Sequence, residues 1–185
     1  SNVSDEEKYK FIEYYEWKFG ASWFTPLAWN KMVLNVKANF GFLGYYNEDI
    51  GQSPFERFYL GGDGLSGFSL DGREIIAQRG YPNNSLNPPG GGTIYDKYTL
   101  EIRFPLSLNP SATIYMLGFL EAGNAFNRFR NWSPFDVKRA AGGGVRIFLP
   151  MFGLLGLDWG YGFDGVWGSK VQNGGEFHFT IGQQF

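Results

Sequence analysis

Few residues in this 185-residue chain could do chemistry. It has no cysteine, which excludes thiolate nucleophiles, thiolate metal sites and disulfide scaffolds. A lone histidine, His178, rules out a His-rich metal centre and leaves any Ser/His/Asp triad dependent on it. No Gly-x-Ser-x-Gly elbow supplies the nucleophile, so a catalytic His178 is disfavoured. The glycine clusters Gly61-Gly62-Asp63-Gly64 and Gly142-Gly143-Gly144 lack the Lys-Ser/Thr end of a phosphate loop. What remains is Arg79, in Gln78-Arg79-Gly80-Tyr81, and two carboxylates, Glu101 and Glu121, on stretches that read as strands. Most loop arginines are solvated and inert. A guanidinium that grips a carboxylate through two N–H groups instead fixes position as well as adding energy. That is fastening chemistry, not turnover, and no cofactor is expected.

The elements that must position these groups are read from a period of two. In residues 8–24, Tyr9, Phe11, Tyr15, Trp17, Phe19, Ala21 and Trp23 share a face opposite Lys8, Lys10, Glu16, Lys18, Gly20 and Ser22. Residues 30–46 repeat the split, and the short proline-bearing link between the two reads as a hairpin. Residues 94–104, 153–164 and 176–185 alternate cleanly. Residues 113–123 are apolar on both faces, and the glycine run weakens 137–149 as a strand. A short strand at 55–60 brings the total to about eight.

Composition tells which solvent these strands meet. Nineteen Phe, eleven Tyr, six Trp and 27 Gly accompany a mean hydropathy of -0.26. No apolar run reaches the roughly 18 residues a membrane helix needs. Alternating strands with one face in lipid account for both facts, and Trp17, Trp23, Tyr46 and Trp159 fall where girdle aromatics would. A soluble sandwich is the weaker alternative. Sixteen Lys and Arg against 18 Asp and Glu leave no basic field for nucleic acid. Residues 1–10 carry no apolar signal core, so we expect a mature chain or a piece of a longer one. The connection 61–92 exceeds the roughly 12–15 residues usual for an unstructured loop. Its Leu65, Phe68, Ile75, Ile76 and Tyr81 need somewhere to pack, which a loop folded back into a lumen would provide.

Specific residues then resemble the Omp85 superfamily, the outer-membrane assembly and translocation family typified by BamA. The stretch 53–62 looks like the strand entering the family's long sixth extracellular loop. Gln78-Arg79-Gly80-Tyr81 is similar to the Val-Arg-Gly-Phe/Tyr motif at that loop's tip, with Gln in place of Val. Ser66-Gly67-Phe68 lies nearer the glycine pair, where some members carry the motif, but Ser66 lacks the guanidinium. Leu100-Glu101-Ile102 and Leu120-Glu121-Ala122-Gly123 resemble the acidic positions of the next two strands. Residues 177–185 resemble the terminal strand, with Phe177, Phe179, Ile181, Gly182 and the aromatic carboxy-terminus Phe185.

The resemblance implies an all-β, antiparallel up-and-down transmembrane barrel, here the carboxy-terminal half of a sixteen-strand family barrel, as one domain over 1–185. It implies that Arg79, Gly80 and Tyr81 lock the loop inside through Glu101 and Glu121, and that the last strand is read by the assembly machinery. The implied activity is non-enzymatic insertion of β-barrel proteins into the bacterial outer membrane. Partners would be outer-membrane lipid, nascent barrel clients and other machinery subunits reached through upstream periplasmic domains. A polypeptide-secreting pore of the same superfamily and an unrelated barrel enzyme are the alternatives. With about eight strands, closure of the first strand on the last is expected, displacing the loop; edge-to-edge pairing of two copies is the other solution.

Overall fold

In a computed structural model of the chain, the described residues are 13–27, 31–46, 51, 53, 56–64, 73–151 and 153–182. The main element is a seven-stranded antiparallel sheet in the order β1-β2-β5-β6-β7-β8-β9. Its strands are β1 (Tyr14–Pro26), β2 (Val33–Tyr45), β5 (Ile94–Asn109), β6 (Ala112–Phe126), β7 (Lys138–Leu149), β8 (Gly153–Gly162) and β9 (Gly174–Ile181). Two short strands, β3 (Phe58–Leu60) and β4 (Glu74–Ile76), lie outside it and pair in parallel with each other. Most of the strands exceed the 9–11 residues that cross a bilayer at a tilt.

The register puts the period-two faces together. Trp17 pairs with Phe42, Phe19 with Phe40, Leu100 with Leu120, and Trp159 with Phe177 on one face. That face is exposed: Trp17, Phe19, Leu157, Trp159, Phe177 and Phe179 are all 46–68% accessible. The opposite face is buried and polar, carrying Asn35, Lys97, Thr99, Glu101, Glu121, Arg146, Asp158, His178 and Thr180. This inverts the arrangement of a water-soluble sheet, whose apolar side is the hidden one, and suits lipid outside with a polar interior. Leu157→Arg, near mid-strand on that outer face, is therefore expected to destabilise the protein in lipid by about 2–4 kcal/mol. Urea titration of the full-length protein in phospholipid vesicles measures it; an unchanged midpoint would contradict the lipid-facing assignment.

The concave side holds the core. Phe58, Leu60, Tyr81 and Leu86 from the 56–93 connection pack on Leu43, Tyr95, Ala125 and Ala140 of the sheet, with Ile76 and Val166 at the margin. Phe58 meets Tyr95 edge to face at 4.8 Å between centroids. Leu65 and Phe68 lie outside the described residues.

Three expectations need correcting. The short strand at 55–60 is no barrel strand: among the described residues only Phe58–Leu60 is extended, and it pairs with Glu74–Ile76 inside the connection. The 61–92 loop is neither displaced nor without regular structure; its described residues are seated against the sheet through bonds such as Gln78 Nε2 to Lys138 O of β7 at 2.6 Å. Closure of the first strand onto the last is not seen among the described residues, where β1 and β9 are the two ends of the sheet order and share no ladder. An eight-stranded barrel is filled by its own side chains.

The glycine run proves to be a regular part of β7. Gly142 and Gly144 face the concave side, where a Cβ on Gly142 would meet the Phe119 ring edge at 2.5 Å. Glycine lowers strand propensity there, yet close approach of neighbours leaves room for nothing larger.

Candidate functional site: the loop tip and its carboxylates

Arg79 sits at the tip of the connection, with Gly80 next to it at φ +85°, a left-handed conformation that suits glycine. The tip lies against a floor of small residues on β7 and β8. A Cβ on Gly160 would come within 2.6 Å of Gly80 N, and one on Gly80 within 2.8 Å of Ala140 Cβ. Close backbone approach therefore sets how far the tip descends.

At that depth the guanidinium is fully buried and fans out to carboxylates on three strands. Arg79 Nε and Nη2 donate to Glu121 Oε1 of β6 at 3.1 and 2.8 Å. The Arg79 backbone N–H donates to Glu121 Oε2 at 2.8 Å, so one carboxylate holds both the side chain and the main chain. Nη2 also reaches Glu101 Oε2 of β5 at 3.0 Å, and Nη1 reaches Asp158 Oδ2 of β8 at 3.3 Å. The Phe119 ring covers one face, 3.7 Å from Cζ to the ring centroid. Burial alone would work against this charge. The carboxylates of Glu121, Glu101 and Asp158 outweigh it and hold the guanidinium above its ordinary pKa.

Each carboxylate has a second cation. Arg103 Nε donates to Glu101 Oε1 at 2.6 Å, and Lys97 Nζ stands 3.5 Å from Glu121 Oε1 while donating to the carbonyl of Ala77. Arg146 grips Asp158 through both terminal nitrogens at 2.6 and 2.5 Å. Buried ions survive only when paired and hydrogen-bonded, and here every charge of the cluster is.

The neighbours of Arg79 extend the grip. Gln78 Nε2 donates to Lys138 O at 2.6 Å. Gly80 N donates to His178 Nε2 at 2.8 Å, and Gly80 O accepts from Asn173 Nδ2 at 2.9 Å. Tyr81 Oη donates to Arg139 O at 2.7 Å and accepts from Asp164 N at 3.2 Å. Burial pushes the Tyr81 phenol up to about 12, so it stays a donor under all ordinary conditions.

Of the residues singled out in the sequence, Arg79, Gly80, Tyr81, Glu101 and Glu121 thus meet in one place. Phe177, Phe179 and Ile181 lie elsewhere, on the outer face of β9, 58–68% exposed. Gly182 directly follows β9 with its N–H bonded to Leu154 O at 2.7 Å, and Phe185 lies outside the described residues. Sequence reasoning missed Asp158, Arg146 and Lys97 as members of the cluster, and the contact of His178. A signal for the first two was present. Asp158 and Arg146 are inward positions whose cross-strand partners, Gly144 and Gly156, are glycines, which clears space for long charged side chains.

No curated protein matches the chain. Among solved structures, the crystal structure of BamA from Haemophilus ducreyi lacking POTRA domains 1-3 superposes with a TM-score of 0.62 at 16% identity. The match covers 91% of this chain and 36% of that one, so the chain spans about a third of the BamA polypeptide it resembles. At this identity the likeness concerns the fold: the seven strands follow part of a BamA barrel. A profile described as the Omp85 superfamily domain matches residues 8–185. With strands, concave face and loop accounted for over nearly its whole length, the chain belongs to the Omp85 superfamily.

Proposed function

We propose that this chain is the carboxy-terminal barrel part of an insertase that folds β-barrel proteins into the bacterial outer membrane, without catalysing a covalent reaction. The observation that carries the reading is the loop tip itself. Arg79 is fixed at once to β5, β6 and β8, so a loop of the barrel acts as a brace across strands that backbone ladders alone join side to side. In this reading residues 61–92 are an extracellular loop turned inward, and Arg79, Gly80, Tyr81, Glu101 and Glu121 are its lock.

Insertion then rests on strand exchange. Among the described residues β9 pairs with β8 on one side and ends the sheet, so its other edge offers N–H and C=O groups that a client strand can take up by β-augmentation. Phe177, Phe179, Ile181, Gly182 and Phe185 form the signal of that strand, with the aromatics in the lipid. The partners are outer-membrane lipid, unfolded barrel clients and other assembly subunits bound through upstream domains.

The test uses the full-length protein in phospholipid vesicles with an unfolded outer-membrane barrel as client. The rate at which the client becomes protease-protected is expected to rise over empty vesicles, and to fall back with Arg79→Ala. Passage of the client into the vesicle lumen without membrane insertion would overturn the reading in favour of a secretion pore.

A further inference from the structure

The lock explains Arg79 but not the two bonds made by the main chain of the next residue. Both polar backbone groups of Gly80 are held by the terminal hairpin: the N–H by His178 of β9, the carbonyl by Asn173 immediately before β9. β9 is an end strand with a single ladder, to β8, among the described residues. The loop tip is thus the second thing that holds it.

We propose that His178 is a positioning residue whose neutral imidazole docks the terminal strand on the loop tip, and that protonating it undocks the strand. The inference deepens the insertase reading, on which it rests only for the consequence that an undocked β9 is freer to exchange partners.

The chemistry follows from one bond. At 2.8 Å a backbone N–H points at Nε2, so that nitrogen is the acceptor and the ring proton sits on Nδ1. A proton arriving on Nε2 sets two donors against each other and removes the only acceptor that Gly80 uses. His178 is 3% exposed, so water does not readily take its place.

The surrounding charges do not offer the imidazolium a ready substitute. Asp158, its cross-strand partner on β8, already receives Arg146 and Arg79. Glu121 of β6 receives Arg79 and lies beside Lys97. Asp63 of the loop and Glu176 on the same strand also act on it, with Arg79 adjacent to the bonded glycine. His178 is the only histidine of this chain, so a change in the histidine range of pH has one source within it.

The test is amide hydrogen exchange of the segment around Gly80 in the full-length protein in vesicles, without client. It is read at pH 7.5 and 5.0 and corrected for intrinsic exchange. Protection of the Gly80 amide is expected to fall about tenfold at pH 5.0, as loss of one buried hydrogen bond implies, while amides of the β6–β7 ladder keep theirs. His178→Gln presents a carbonyl oxygen that accepts the same N–H without titrating, and should keep the protection at both pH values. His178→Leu should lose it at both. Wild-type protection that does not change with pH overturns the proposal, as does a Gln variant with the wild-type pH profile. If neither variant folds, the wild-type profile decides alone. Client insertion at pH 7.5 is measured separately, so failure of the insertase reading is distinguishable from failure of the dock.

Discussion

Arg79→Ala is expected to destabilise the folded full-length protein by about 3–5 kcal/mol. The reason is what it leaves behind. Glu121 and Asp158 are wholly buried, Glu101 nearly so, and each loses a charged partner at once. Lys97, Arg103 and Arg146 remain, but their geometry serves one carboxylate each and does not join the strands to the loop. Arg79→Lys should fall between: an ammonium keeps the charge and loses the planar fork that reaches three strands together. The measurement is denaturant unfolding in vesicles, with proteolysis of the 61–92 connection as a local probe. Cleavage should accelerate in Arg79→Ala before the barrel strands themselves unfold.

Gly80→Val should be nearly as damaging by a different route. The backbone there has φ +85°, which a β-branched residue scarcely adopts, at a cost of about 1–2 kcal/mol. Its Cβ would also stand 2.8 Å from Ala140 Cβ and 3.1 Å from the Tyr161 carbonyl carbon. Overpacking of that kind adds about 1–3 kcal/mol, and the strain has no flexible side chain to absorb it. The expected result is an intact cluster of carboxylates with an arginine lifted off them. Loop cleavage as fast as in Arg79→Ala would fit this, and wild-type resistance would show that the tip does not rest on the β7–β8 floor.

Much of this was legible in the chain itself because a barrel strand writes both of its solvents into alternate residues. The outer face of β8, from Leu155 to Tyr161, reads directly, and its lipid exposure follows from the aromatics. Arg79, Glu101 and Glu121 were legible as a set because a loop arginine and inward strand carboxylates are chemically complementary and match a family motif.

What was not legible depends on depth and curvature. Asp158 looked like one more polar inward residue, since nothing local says that a loop tip descends to its level. The β7 glycines argued against a strand by propensity, when their meaning was contact with Phe119 and the carboxylate of Asp158. Residues 58–60 have strand character and do form a strand, yet their partner is 74–76 in the same connection, a parallel pairing that local pattern does not announce. The expected closure of β1 onto β9 followed from strand number and from the glycine-rich inner face of residues 153–164. It set the loop aside as displaced, whereas Phe58, Leu60, Tyr81 and Leu86 pack on the concave side.

The most direct test of the lock is a double-mutant cycle on Arg79 and Glu121, the residue that takes both its side chain and its backbone N–H. Unfolding free energies of the full-length protein in vesicles would be compared for Arg79→Ala, Glu121→Ala and the double variant. The account predicts strong non-additivity: the double variant should lose clearly less than the sum of the two single ones, giving a coupling of about 2–3 kcal/mol. Costs that simply add would mean that the two residues stabilise the barrel independently, and would contradict the lock.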